Sequence, residues 1–293
     1  MPAIRVSNLV KDYGRVHALR GLDLEVETGE VLGFLGPNGA GKTTTIRILL
    51  DLIRATSGTV EVLGADPRTA GPQLRARIGY LPGEPALPPT LTGREYLGYL
   101  ASLRGAAPRL DELVARFGVE LGRPIHTLSR GNKQKIALVQ AFMHAPELYV
   151  LDEPTSGLDP LLQQEFRALV AEVATSDATV FLSSHVLAEV EQLTRRVAIV
   201  RSGRVVDVDD IASLRARAGQ EVELSFASPI DPAVVDVDGV SDVEVDGTHV
   251  RLLLHGEPDQ LLRAVAPHHV TRIRAEDREL ESVFLDLYRE NGS

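Results

Sequence analysis

The sequence contains no cysteine and no tryptophan, only two methionines, and aromatic residues fill 4% of its 293 positions. Without cysteine there are no disulfides and no thiolate ligands, which excludes a disulfide scaffold and a cysteine-based zinc or iron–sulfur site. Long apolar runs are missing too. The run at 148–151 is typical, against the ~20 residues that a membrane-spanning helix needs. The opening Met1-Pro2-Ala3-Ile4-Arg5 lacks a basic stretch followed by an apolar one, so no secretory signal is expected and the cytoplasm is the expected compartment. Positive charge is in deficit: 31 Lys and Arg stand against 41 Asp and Glu, a net charge of −10 and the wrong sign for a nucleic-acid platform. What remains, 44% hydrophobic and 25% charged, is the composition of an ordinary globular protein, long enough for one large domain or for a domain plus a smaller one.

Periodicity divides the chain. Residues 4–10 and 22–26 alternate as strands do, whereas Val31-Leu32-Gly33-Phe34-Leu35 is wholly apolar, as suits a strand buried on both faces of a parallel sheet. A glycine-rich turn follows, then helical periodicity over 43–53, so the chain opens an α/β domain. From Pro82 to about Ala145, after a cluster of prolines, the segments 92–104, 108–117 and 132–144 read as helices with no strand between them, a helical insert at about 83–145. Strand-like runs return at 148–151, 179–182 and 197–200, separated by helices at 160–174 and 186–194, and a turn at Ser202-Gly203 closes the sheet near 208. A helix at about 209–218 ends the first domain, 1–218. The second, 219–293, reads as a small α+β unit: strands at 221–226, 241–245 and 248–254, a hairpin through Asp246-Gly247, a helix at 258–265, a strand at 268–274 and an amphipathic helix at 279–289.

Residues 36–43 read Gly36-Pro37-Asn38-Gly39-Ala40-Gly41-Lys42-Thr43, the G-x-x-x-x-G-K-[ST] phosphate loop, set between strand and helix as that motif requires. Its glycines let successive N–H groups turn inward around phosphate oxygens. Lys42 is expected to reach the β- and γ-phosphates of ATP and the Thr43 hydroxyl to ligate Mg²⁺, with Thr44 next to them on the first helical turn. Asp152 and Glu153 follow the apolar run 148–151. Alone, such a pair is most often a solvated strand end or a helix cap. Beside a phosphate loop, Asp152 suits Mg²⁺, and Glu153 suits a base that takes a proton from, or orients, the water attacking the γ-phosphate. His185 ends another apolar run and is placed to bridge Glu153 and that phosphate.

These residues, with "LSRGNKQ" at 128–134, "VLDEPTSGLD" at 150–159 and "SSH" at 183–185, resemble the ATP-binding subunits of ABC transporters, in the family's order and over about residues 3–210. The resemblance implies a P-loop NTPase of the ABC type, with an antiparallel β subdomain and a helical insert. It implies that Tyr13 stacks on adenine and that Asp159 lies at a dimer interface. Two such chains would sandwich ATP head to tail, the phosphate loop of one facing Ser129 and Gly131 of the other, as a homodimer or heterodimer. The partner would be a separate transmembrane permease, with the subunit peripheral on the inner face of the cell membrane and no nucleic acid involved. Residues 219–293 are similar to the C-terminal extension of the drug- and antibiotic-export branch.

Two positions depart from the family. Its usual glutamine falls at Gly83, which has no side chain; Glu84 next door is open to reading as a surface carboxylate or as a substitute. In the LSGGQ-type run, Arg130 stands for a glycine and Asn132 for the glutamine, while Ser129 and Gly131 are kept. The chromosome and repair ATPases of the same superfamily need a long coiled coil between phosphate loop and LSGGQ-type run, and the interval from Lys42 to Ser129 is too short for one; the translation-associated members typically carry two ATPase domains in one chain, and this sequence shows one. A non-hydrolysing regulatory module finds support only in Gly83, since Lys42, Asp152, Glu153 and His185 are all present.

Overall fold

The computed structural model describes residues 1–278, so the expected helix at 279–289 lies outside the described residues. The chain divides into two compact units, Met1–Val208 and a second from Asp209 onward, which groups the expected helix at 209–218 with the second unit.

The first unit is built on two sheets. β1 (Pro2–Tyr13), β2 (Val16–Glu27) and β4 (Ser57–Val62) form an antiparallel sheet in the order β2-β1-β4. β3 (Val31–Leu35) precedes helix α1 (Lys42–Leu49), and α2 (Pro67–Ala76) precedes β5 (Ile78–Leu81). The insert holds α3 (Gly93–Arg104), α4 (Leu110–Arg116) and α5 (Arg130–Phe142). β6 (Leu148–Asp152), α6 (Pro160–Ala174), β7 (Thr179–Ser184), α7 (Leu187–Leu193), β8 (Arg196–Arg201) and β9 (Arg204–Asp210) complete a six-stranded sheet in the order β5-β6-β7-β3-β8-β9. From β5 to β8 the pairings are parallel. β6 and β7 are buried at every position, which is why their apolar runs, 148–151 and 180–182, are continuous rather than alternating. Aromatics, though few, are concentrated here: Phe142 on α5 stacks on Tyr149 of β6 at 4.5 Å between ring centroids and meets Phe166 of α6 edge-on at 6.3 Å.

Several elements differ from the sequence reading. α5 begins at Arg130, two residues earlier than expected, because the Ser129 side chain accepts a hydrogen bond from Asn132 N and caps the helix. α3 starts behind Thr92, whose side chain and Glu95 cap each other reciprocally. α1 ends at Leu49 rather than Ile53, its last carbonyls taken up by the turn that follows. β4 and α2 were not foreseen: β4 is largely exposed and carries only a weak apolar signal, and α2 contains Pro72 and a break at Gly71.

In the second unit, α8 (Ile211–Ala218) precedes an antiparallel sheet of β10 (Gln220–Phe226), β11 (Val240–Asp246), β12 (His249–Leu254) and β13 (Val270–Asp277), ordered β11-β12-β10-β13. β10 and β12 alternate, so Val222, Leu224, Phe226, Val250, Leu252 and Leu254 face one core with Leu261 and Val265 of α9 (Asp259–Val265). The β11–β12 hairpin turns through Gly247-Thr248, because β11 runs one residue further than expected, to Asp246.

Candidate functional site

Strand order decides where the sequence motifs meet. Parallel β5, β6, β7 and β3 lie side by side, with Leu35 in register with Ser184 and Asp152 with Ser183. Their carboxyl ends therefore release Pro82-Gly83, Glu153, His185 and the phosphate loop on one edge of the sheet, the edge where ligands bind in open α/β folds. A cavity of about 730 Å³ opens there. Its wall includes Pro37, Asn38, Gly39, Gly41, Lys42, Thr43, Thr44, Asp152, Glu153 and His185.

The loop's shape follows from two glycines. Gly41 sits at φ +110°, where a side chain is strained, and a Cβ on Gly36 would fall 2.2 Å from Val200 O. Ala40, within the loop, is buried, and its carbonyl accepts from Gly203 N. Lys42 is 6% exposed, and its ammonium donates to Gly36 O at 2.7 Å and Pro37 O at 3.3 Å. The buried Asp152 accepts from the hydroxyls of Ser183 and of Thr43, the latter at 2.9 Å. This pair of hard oxygen donors, a hydroxyl and a carboxylate at the foot of a phosphate loop, fits Mg²⁺.

Glu153 stands between two cationic or protonatable groups. One carboxylate oxygen lies 3.3 Å from Lys42 Nζ, and the other 2.8 Å from His185 Nδ1. Its backbone is in the left-handed region, φ +48°, which is costly for a non-glycine residue and is a feature concentrated at functional sites. Hydrogen bonds on both sides hold it there: Glu153 N donates to Ser183 O, and Ser156 N donates to Glu153 O, each at 3.1 Å. A carboxylate so held can accept a proton from a water in the cavity.

Tyr13, Ser129, Gly131, Asn132 and Asp159 lie off the wall. Tyr13 is the cross-strand partner of Val16, which does line the cavity with His17 and Ala18; its ring is 47% exposed, with Lys11 Nζ 4.8 Å from the centroid. Ser129 caps α5, and because its oxygen accepts from Asn132 N, its O–H remains free to donate. Gly131 follows in the first turn. Asp159 caps α6 through Leu162 N. Asn132 is occupied within the insert, exchanging two hydrogen bonds with the backbone of Glu120, each at 3.0 Å. Gly83 lies so close to the acidic pair that a Cβ there would be 3.3 Å from Asp152 O, and Glu84 lines the cavity beside it.

Sequence reasoning missed Arg47, Tyr80 and Ser156, which also line the cavity, and did not foresee that Arg130 lines it too. Tyr80 had a signal, being the third residue of the short apolar strand that leads to Gly83. Burial, aided by the nearby Asp152 carboxylate, raises its phenol above the ordinary range.

Comparison with known proteins gives the family. The ABC transporter family pattern matches residues 19–156, from β2 to the turn after Glu153. The bacitracin transport ATP-binding protein BcrA of Bacillus licheniformis is 34% identical over 297 residues, covering 97% of this chain and 96% of BcrA. The chain belongs to the ABC transporter ATP-binding proteins. A further relative in this family is the daunorubicin resistance ATP-binding protein DrrA3 of Streptomyces coeruleorubidus, 36% identical over 97% of this chain and 93% of its own. Among solved structures, an ATP-binding subunit of an ABC transporter is 31% identical and superposes with a TM-score of 0.68, covering 73% of this chain and 92% of that one. As an ABC ATPase of the drug- and antibiotic-export type, this chain binds and hydrolyses ATP; among its described residues no helix is long and apolar enough to cross a membrane.

Proposed function

We propose that Lys42, Glu153 and His185 form the hydrolytic centre of a subunit that works at a head-to-tail dimer interface and powers a separate transmembrane permease. The observation that carries this is the Glu153 carboxylate poised between Lys42 and His185 at the mouth of the phosphate loop. Lys42 binds the β- and γ-phosphates, and loop N–H groups between Asn38 and Thr44 cradle them. Thr43 and Asp152 would hold Mg²⁺, which when bound neutralises charge on the phosphate oxygens. Glu153 takes the proton of the attacking water, and His185 keeps the carboxylate oriented while reaching toward the γ-phosphate.

Tyr13 supplies the adenine-stacking surface. Ser129 and Gly131 face a partner's ATP rather than their own, and Asp159 lies at the interface between the two chains, which are identical or paralogous. The permease keeps the subunit on the inner face of the cell membrane. The relatives named for bacitracin transport and daunorubicin resistance support export of a drug or antibiotic, and residues 219–293 serve as an accessory domain.

The test is phosphate release by the purified chain together with capture of a multi-span membrane protein from its own host. Turnover that Lys42→Ala abolishes, with a permease captured, supports the reading. Absence of ATP turnover, or capture of nucleic acid in place of a permease, overturns it.

A further inference from the structure

Arg130 stands where the family has glycine, in a segment expected to serve the partner's nucleotide. Its side chain, however, turns into its own chain. The guanidinium Nη2 lies 3.4 Å from Ser156 Oγ. The same side chain covers Gly157: a Cβ built there would fall 3.3 Å from Arg130 Nε and 3.8 Å from its Cδ and Cζ. Arg130 and Ser156 both line the cavity that holds Lys42, Glu153 and His185. Among the described residues no carboxylate lies within ion-pair distance of Arg130, so neutralising a surface acid does not account for its placement.

The contact leads to the base. Ser156 N donates to Glu153 O and closes the turn that begins at Glu153, the residue held at φ +48°. Arg130 therefore joins the first turn of α5 to the loop that fixes the backbone of Glu153, while Lys42 and His185 fix its carboxylate. A glycine at 130 could make no such tie. We infer that Arg130 is a positioning residue for the nucleotide site of its own chain, coupling the start of α5 to Glu153 through Ser156. The inference rests on Glu153 being the base of that site.

Mixed dimers separate action within the chain from action on the partner. When one chain carries Glu153→Gln, only the other chain's phosphate loop turns over ATP. Arg130→Ala is placed in turn on the chain with the working Glu153, and on the chain with Glu153→Gln, and phosphate release is followed over ATP concentration. In the first arrangement kcat falls by about fivefold or more relative to the second, with KM for ATP changed by less than about twofold. Adding Ser156→Ala to Arg130→Ala on the working chain produces little further loss, because both changes cut the same link.

Equal losses in the two arrangements, or a larger loss in the second, overturn the proposal. So does a full additive loss from Ser156→Ala. The control is the Glu153→Gln homodimer. If it turns over ATP, the assignment of the base falls and the proposal with it; if it is silent while the two arrangements match, the proposal alone falls. A merely stabilising role for Arg130 would lower the urea midpoint of both mixed dimers alike, without this asymmetry in kcat.

Discussion

Glu153→Gln tests the hydrolytic assignment most directly. The substitution keeps the shape and removes one charge, so its effect can be apportioned from the geometry. In the ground state Glu153 lies 3.3 Å from Lys42 Nζ, with side-chain exposures of 6% for Lys42 and 20% for Glu153. At an effective dielectric of ~20 the gross attraction of such a pair is about 5 kcal/mol. Desolvation of both ions offsets much of that, so the net loss of stability is far smaller. The amide oxygen of glutamine can still accept from Lys42, and its NH₂ can donate to His185 Nδ1, which lies 2.8 Å from the carboxylate it replaces. The loop should therefore stay in place. ATP affinity should hold or rise, since a carboxylate beside the phosphates is gone. The chemical step, by contrast, loses its proton acceptor, which contributes about 10²–10⁴ in rate, or roughly 3 to 5 kcal/mol of barrier. Phosphate release at saturating ATP and Mg²⁺ should drop by about that factor, while light scattering after size exclusion should show an ATP-dependent dimer that persists. A kcat within about threefold of the parent chain would refute the reasoning, because no general base is that dispensable.

Three further outcomes follow from the structure. Ser129→Ala removes the cap of α5 and should cost about 1 kcal/mol in urea unfolding; turnover of the dimer should fall while ATP binding by the isolated chain, measured calorimetrically, is retained. Phe142→Ala empties a fully buried position between Tyr149 and Phe166 and should destabilise the first unit by about 3–5 kcal/mol, read as a lowered urea midpoint. His144 is held near pKa 4, first by burial and then by the Arg104 guanidinium, well below its ordinary 6.5. Because the unfolded chain protonates it first, its contribution to stability is present above pH 6.5 and is lost as pH falls toward 4. Urea midpoints of the parent chain should decline more steeply over that interval than those of His144→Gln, and parallel declines would remove His144 as the cause.

Much of this was legible before any fold was known. The phosphate loop announces itself because only glycine tolerates φ +110° at Gly41 and the close approach at Gly36, and because Lys42 needs both to reach its place. The apolar runs at β3, β6 and β7 are readable because a strand covered on both faces cannot alternate. β4 stayed hidden for the opposite reason, since a largely exposed strand has no strong pattern to show. The start of α5 was misplaced by two residues because a cap is a geometric event at Ser129, and the sequence shows only that a suitable residue is present.

The sequence by itself determined the chemistry available: a phosphate loop, an acidic pair after a buried strand, a histidine after another, and no cysteine. Those are local facts, written in residue type and spacing. Tertiary structure alone decided which of them meet. The order β5-β6-β7-β3 is set by long-range strand pairing, and it brings Gly83, Glu153, His185 and Gly36 to one edge from positions up to 149 residues apart. It also decided the direction of Arg130. The side chain lies over Gly157, a consequence of packing between segments distant in sequence that no motif records.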